Sequence, residues 1–216
     1  ESCNLLFARN SAGSFFLPAV FLFLLDVLFI NWVTDMKFIR ENSVVCVVDL
    51  QAKIFPHMYA ADDLLKRCVQ FLQGAVALDL PVLITEQYTK GLGPTMHEFQ
   101  EVLVDKYKPI EKIHFSCYKN QEFKEKLEQT GKKDVFLIGI ESHVCVLQTA
   151  LDLAEAGYNP ILVVDCVSSR NPMDKKYALK RLKQNGVELT TMESALFELL
   201  VSADAAEFRT ISKIVK

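Results

Sequence analysis

Glycine and proline are scarce in this chain, at 8 and 7 of 216 residues, and there is one tryptophan. So little glycine and proline excludes a collagen-like or linker-dominated architecture. A basic surplus is also missing: 24 lysines and arginines face 27 aspartates and glutamates, giving a net charge of -3 and a pI near 5.9. Nucleic-acid binders normally carry a basic excess or stripe, so no nucleic-acid partner is expected. The six cysteines contain no C-x-x-C pair, and no N-x-[ST] sequon occurs, which disfavours a secreted glycoprotein. Several cysteines lie within apolar strand or helix patterns, where a reduced thiol acts as a small hydrophobe. A reducing, cytoplasmic setting is therefore expected, with an organellar or membrane-anchored one as the alternative. No Walker A, H-E-x-x-H or zinc-finger spacing is present. Gly91-x-Gly93 runs into Pro94 without a third glycine, so there is no dinucleotide fingerprint.

What the chain does have is apolar material, 50% of its residues against 24% charged, enough for a packed core. Its mean hydropathy of +0.17 is high for an enzyme, and much of the excess lies in residues 15–33, FFLPAVFLFLLDVLFINWV. That run is long enough to span a bilayer. Pro18 and Asp26 oppose this, the carboxylate costing roughly 2.5–3.5 kcal/mol near mid-membrane. Arg9 precedes the run and Lys37 and Arg40 follow it, a balance that favours a cytoplasmic main domain if the run is an anchor. Residues 1–35 thus read as a membrane anchor, a packed helix, or an upstream feature without a role in the fold. The folded domain is expected over 36–216. Of the 24 basic and 27 acidic groups, one and three precede Met36, so the remainder carries a balanced 23 and 24.

From residue 43 short β-branched runs alternate with helical periods. Residues 43–50 (SVVCVVDL) form a continuous apolar run ending in an acid, as in a strand buried on both faces. Further strands are expected at 81–85, 112–117, 134–140, 160–165 and 187–191. Helices are expected at 61–78, 121–129, 144–156 and 173–185, the last two closed by Gly157 and Gly186. Residues 89–95 read as a polar loop, and two short helices finish the chain, the last over 205–215. This alternation implies βαβ units, right-handed crossovers and a parallel sheet.

Ligands of such sheets bind at the carboxyl ends of the strands, where the strand order reverses. The first strand ends in Asp49, and the fourth runs through Glu141-Ser142-His143-Val144 into Cys145 at a helix start. If those strands are neighbours, carboxylate and thiol meet. A helix N-terminus and a nearby lysine would favour the thiolate, and the free backbone N–H groups would receive an oxyanion. Taken singly, a cysteine in an apolar helix is more often core than nucleophile, and a lysine such as Lys112 is usually solvated.

The segments VVDLQAKIF (47–55), ITEQYTKGLGPT (84–95), EKIHFSCY (111–118), GIESHVCVLQTALDLAEAGY (139–158) and VVDCVSSR (163–170) together resemble the isochorismatase-like cysteine hydrolase superfamily, and within it the eukaryotic isochorismatase domain-containing proteins. The resemblance covers about 43–216. It implies a doubly wound, Rossmann-like three-layer α/β sandwich with a six-stranded parallel sheet. It also implies an Asp-Lys-Cys triad falling on Asp49, Lys112 and Cys145, with a cis peptide at Ile140–Glu141 and oxyanion donors at the Glu141 and Cys145 N–H groups. The implied chemistry is hydrolysis of a small amide-like substrate through a covalent cysteine intermediate. Gln51, Phe55, Gln87, Tyr88 and His143 are the pocket candidates, and homo-oligomerisation is implied.

Departures from subfamily patterns narrow the reading. Nicotinamidases carry a metal-binding D-x-H with further histidines. Here Glu86-Gln87-Tyr88 and the 91–94 loop stand in that stretch, with His97 alone, so no catalytic metal and no cofactor is expected. His97 reads as a solvated loop residue. Bacterial isochorismatases lack the cysteine nucleophile, so Cys145 argues against vinyl-ether hydrolysis. The alternative to an enzyme is a binding or interaction protein that keeps the fold with little turnover.

Overall fold

A computed structural model describes residues 37–216. The apolar run at 15–33 and its competing readings lie outside the described residues, among which no helix is long and apolar enough to cross a membrane. Six parallel strands form one sheet: β1 (Ser43–Val48), β2 (Val82–Gln87), β3 (Pro109–Lys112), β4 (Asp134–Ile140), β5 (Asn159–Ser168) and β6 (Glu188–Thr190), in the order β3-β2-β1-β4-β5-β6. The order reverses between β1 and β4, which pair in register from Ser43 opposite Asp134 to Val48 opposite Gly139.

Both faces of the sheet are covered, which is why β1 is apolar at every position but the first. Val45 and Val47 face one core, beneath α1 (Ala61–Ala77) and α7 (Met192–Leu200). Val44, Cys46 and Val48 face the other, beneath α4 (Gln121–Thr130) and α5 (Leu147–Glu155), with α6 (Pro172–Gln184) contributing Leu182. Helix α1 buries Leu64, Cys68, Phe71, Leu72 and Ala75, a stripe at helical spacing, and carries Asp62 and Asp63 in its first turn where the helix dipole favours them. Asn120 caps α4 by accepting from the Phe123 N–H, and Asn171 caps α6 from the Met173 N–H with Pro172 in the first turn. The final helix, α8 (Phe208–Ile214), buries Ile211 in the first core and rests Phe208, Ile214 and Val215 against it, so its apolar stripe covers its own domain.

Four local expectations change. The third strand is Pro109–Lys112, not 112–117: beyond Lys112 the chain bends, leaving Ile113 and Phe115 exposed although K-I-H-F-S-C alternates like a strand. Lys112 therefore ends its strand, on the same rim as Asp49. The 89–95 loop contains a helical turn, α2 (Thr89–Leu92), and α3 (His97–Leu103) follows with Phe99 and Leu103 buried. His97 opens α3, exposed and 3.2 Å from Glu101. The fourth-strand helix starts as a π-helical turn, Ser142–Val146, before α5 begins at Leu147.

The β1–β4 seam has a specific requirement at Gly139. Its φ is +126°, and a Cβ there would lie 2.0 Å from the Val48 carbonyl oxygen. Only glycine fits this approach, one residue before Ile140 and its cis bond to Glu141.

Candidate active site

Asp49 leaves β1 in the left-handed region, φ 53°, a conformation that short polar aspartate tolerates better than most residues. Its carboxylate is almost fully buried. Oδ1 accepts a 2.8 Å hydrogen bond from the Thr85 hydroxyl on β2, and Oδ2 accepts a 2.7 Å bond from Lys112 Nζ on β3. The lysine side chain is 0% exposed. Nζ donates also toward Gln87 Oε1 at 2.8 Å, Phe115 O at 3.0 Å and His114 O at 3.2 Å, so the bend after β3 wraps its own carbonyls around the ammonium. That bend is what keeps Lys112 out of water. Burial alone would lower its pKa, but the Asp49 carboxylate beside it outweighs this, and the pKa is raised.

Cys145 reaches the same rim from β4 through the π-helical turn and lines one cavity with Asp49. Its pKa is pushed up, first by burial and then by the Asp49 charge, with Lys112 pulling the other way. The helix start and Lys112, both expected to lower the thiol pKa, are outweighed by desolvation and the Asp49 charge. Thiol and carboxylate line the same small cavity, an arrangement suited to proton removal during attack.

Asp49, Gln87, Glu141 and Cys145 line a cavity of about 110 Å³ whose remaining wall is Ile54, Leu92, Phe115, Ile140 and Val144. The Glu141 carboxylate is held by Arg170 through its N–H at 3.0 Å and Nε at 3.2 Å. Burial would raise the Glu141 pKa, but these Arg170 contacts lower it. Of the five pocket candidates, Gln87 lines the cavity. Gln51 is fully buried and clamps the neighbouring loop: Nε2 donates to Gln87 O and Gly93 O, and Oε1 accepts from the Gln87 N–H. Phe55 lies in the core against Phe99, Tyr88 is half-exposed, and His143 bonds Ser169 Oγ at 3.0 Å. None of these four borders the cavity.

Thr85 and the apolar wall are not among the residues expected from sequence. The signal for Thr85 was a hydroxyl at the end of a buried strand, in register with Val48 beside Asp49. Behind the site, Cys117 is fully buried with Sγ 3.4 Å from Thr85 Oγ1, so Cys145 is the cysteine that meets the cavity. A second clamp lies further out. The buried Glu86 carboxylate accepts from the Thr95 N–H and hydroxyl and from Tyr107 OH, whose pKa burial and then Glu86 push up to about 12. No group of three histidine, cysteine or acidic residues placed to hold a metal occurs among the described residues.

Residues 43–194 match the isochorismatase domain. The chain belongs to that family. Isochorismatase domain-containing protein 2 of Xenopus laevis is 36% identical over 177 residues, 82% of this chain and 84% of the relative. Isochorismatase domain-containing protein 1 of Danio rerio is 37% identical over 175 residues, 81% of this chain and 61% of that protein. A Caenorhabditis elegans structure described as MAR1 ribonuclease aligns with a TM-score of 0.78 at 36% identity, over 83% of this chain and 92% of that one. Escherichia coli YcaC, described as an octameric hydrolase of unknown specificity, shares the fold at 24% identity and a TM-score of 0.78, over 83% and 90% of the two chains. Among the described residues, the isochorismatase-domain fold of this chain thus carries Asp49, Lys112 and Cys145 at the carboxyl rim of its sheet.

Proposed function

We propose that this isochorismatase-domain protein is a cysteine hydrolase that cleaves a small amide-like substrate through a thioester on Cys145. The observation that carries this reading is the Cys145 thiol lining one small, mainly apolar cavity with an Asp49 carboxylate that Lys112 and Thr85 hold in place. Asp49 takes the thiol proton as Sγ attacks the carbonyl carbon. The N–H groups of Glu141 and Cys145 receive the resulting oxyanion, as the resemblance implies. The proton passes from Asp49 to the leaving nitrogen, the C–N bond breaks, and an amine departs. Water, giving a proton to the same carboxylate, then cleaves the thioester and restores the thiol. Lys112 remains charged throughout and fixes the carboxylate's position.

The ribonuclease description of the nematode protein is not carried over. No lysine or arginine lines the cavity, so a nucleotide phosphate would have no cationic partner there. Homo-oligomerisation is part of the proposal, on the family resemblance and the octameric description of the E. coli relative. The exposed Ile113 and Phe115 beside the site supply apolar surface for it.

The test is ammonia release from a panel of small primary amides. The wild-type chain is expected to turn over at least one of them. Binding without turnover across the panel would favour the interaction-protein alternative instead.

A further inference from the structure

We infer that the acyl part of the substrate is small, uncharged and mainly aliphatic, and that the site discriminates against substrates carrying a carboxylate. This rests on Cys145 being the nucleophile and goes beyond it to the chemistry of what the nucleophile accepts.

Size is the first argument. The cavity measures about 110 Å³, well under the roughly 300–1,000 Å³ of sites for drug-sized ligands. A short acyl chain fills it, and a larger group would extend out through its mouth. The second argument is the wall, where Ile54, Leu92, Phe115, Ile140 and Val144 offer no side-chain hydrogen-bonding group.

Charge decides between neutral and anionic substrates. An anionic substrate would need a cation or several free donors. Lys112 is the cation at hand, yet its three N–H protons already face four acceptors: Asp49, Gln87, His114 and Phe115. Arg170 is turned to Glu141 and does not border the cavity. The Gln87 amide is engaged at both ends, donating to Ile113 O and accepting from Lys112. The acidic residues among its lining are Asp49 and Glu141, and no lysine or arginine is among them. A substrate carboxylate would therefore find no free cation, only the backbone N–H groups that the reacting carbonyl oxygen itself requires, and would bring a second negative charge beside Asp49. A neutral amide asks only for its carbonyl oxygen and leaving nitrogen to be served.

Iodoacetamide and iodoacetate test this, since they are of nearly equal size and differ in charge. Labelling of each cysteine is followed by peptide mass spectrometry in the folded protein and in the urea-unfolded chain. At Cys145 the iodoacetamide-to-iodoacetate rate ratio is expected to rise by at least about tenfold on folding, because the anion meets an unpaired, desolvated site. An unchanged or lower ratio, with Cys145 still labelled faster than Cys46 and Cys68, would leave the nucleophile standing and overturn the inference. Labelling of Cys145 by neither reagent ahead of those two core thiols would overturn the nucleophile reading and the inference with it.

Discussion

Cys145→Ala is expected to lower amide turnover by at least about 10⁴-fold while leaving the unfolding midpoint within the range of a minor core truncation. The magnitude follows from the division of labour in the site. Without Sγ there is no covalent intermediate, and Asp49 has no thiol proton to take. What remains is a small apolar cavity and two backbone donors, which is the residual catalysis left when a nucleophile is removed from an intact oxyanion site. Stability should change little because Cys145 borders the cavity on one side, and Asp49 keeps its bonds from Thr85 and Lys112 when the thiol is gone. Paired urea titrations and ammonia-release assays measure both quantities on the same preparation. A parallel fall in stability and rate would mean that the thiol serves packing, not chemistry.

Lys112→Met is expected to act on both. The lysine side chain is fully enclosed, and its removal leaves the Asp49 carboxylate, itself 4% exposed, without its counter-charge. Breaking a buried ion pair from one side costs about 3–5 kcal/mol, a large share of the stability of a domain this size. The loss has a second component here, because the His114 and Phe115 carbonyls that fold over Nζ lose their donor as well. The bend after β3 then has less to hold it, and Phe115 is part of the cavity wall. Turnover should fall to the level of Cys145→Ala. The double variant Asp49→Leu/Lys112→Met separates the effects: removing both charges should recover most of the stability and none of the activity. Urea unfolding by circular dichroism, beside the same assay, checks each arm.

Lys112 also marks the border between what could be read in the sequence and what could not. The sheet was legible because a parallel strand covered on both faces has to be apolar past its first residue, as β1 and β4 are, and because Gly157 and Gly186 mark the ends of α5 and α6. The resemblance put the triad on Asp49, Lys112 and Cys145, and the β1–β4 pairing joins two of them at the switch point. The third strand was misplaced because K-I-H-F-S-C has the period of a strand, whereas the true edge strand opens on Pro109, which is tolerated at a strand's first residue. Periodicity does not register that Nζ captures the following carbonyls and bends the chain. Helix α3 was missed since seven residues with two buried positions give too short a period to detect. The thiol pKa of Cys145 was misjudged for a different reason. Helix-terminus and lysine effects can be inferred from local sequence, while the burial and facing carboxylate that outweigh them belong to the tertiary structure.

The central claim is that Cys145 forms a thioester with the acyl group of the substrate. Acid-quenching the wild-type chain within milliseconds of mixing with a turned-over amide, then digesting it, tests this directly by mass spectrometry. The account predicts that the peptide bearing Cys145 gains the mass of the acyl group, that hydroxylamine removes it, and that Cys145→Ala shows no such species. Turnover with every cysteine peptide unmodified, or the acyl mass on Cys117 in place of Cys145, would contradict it.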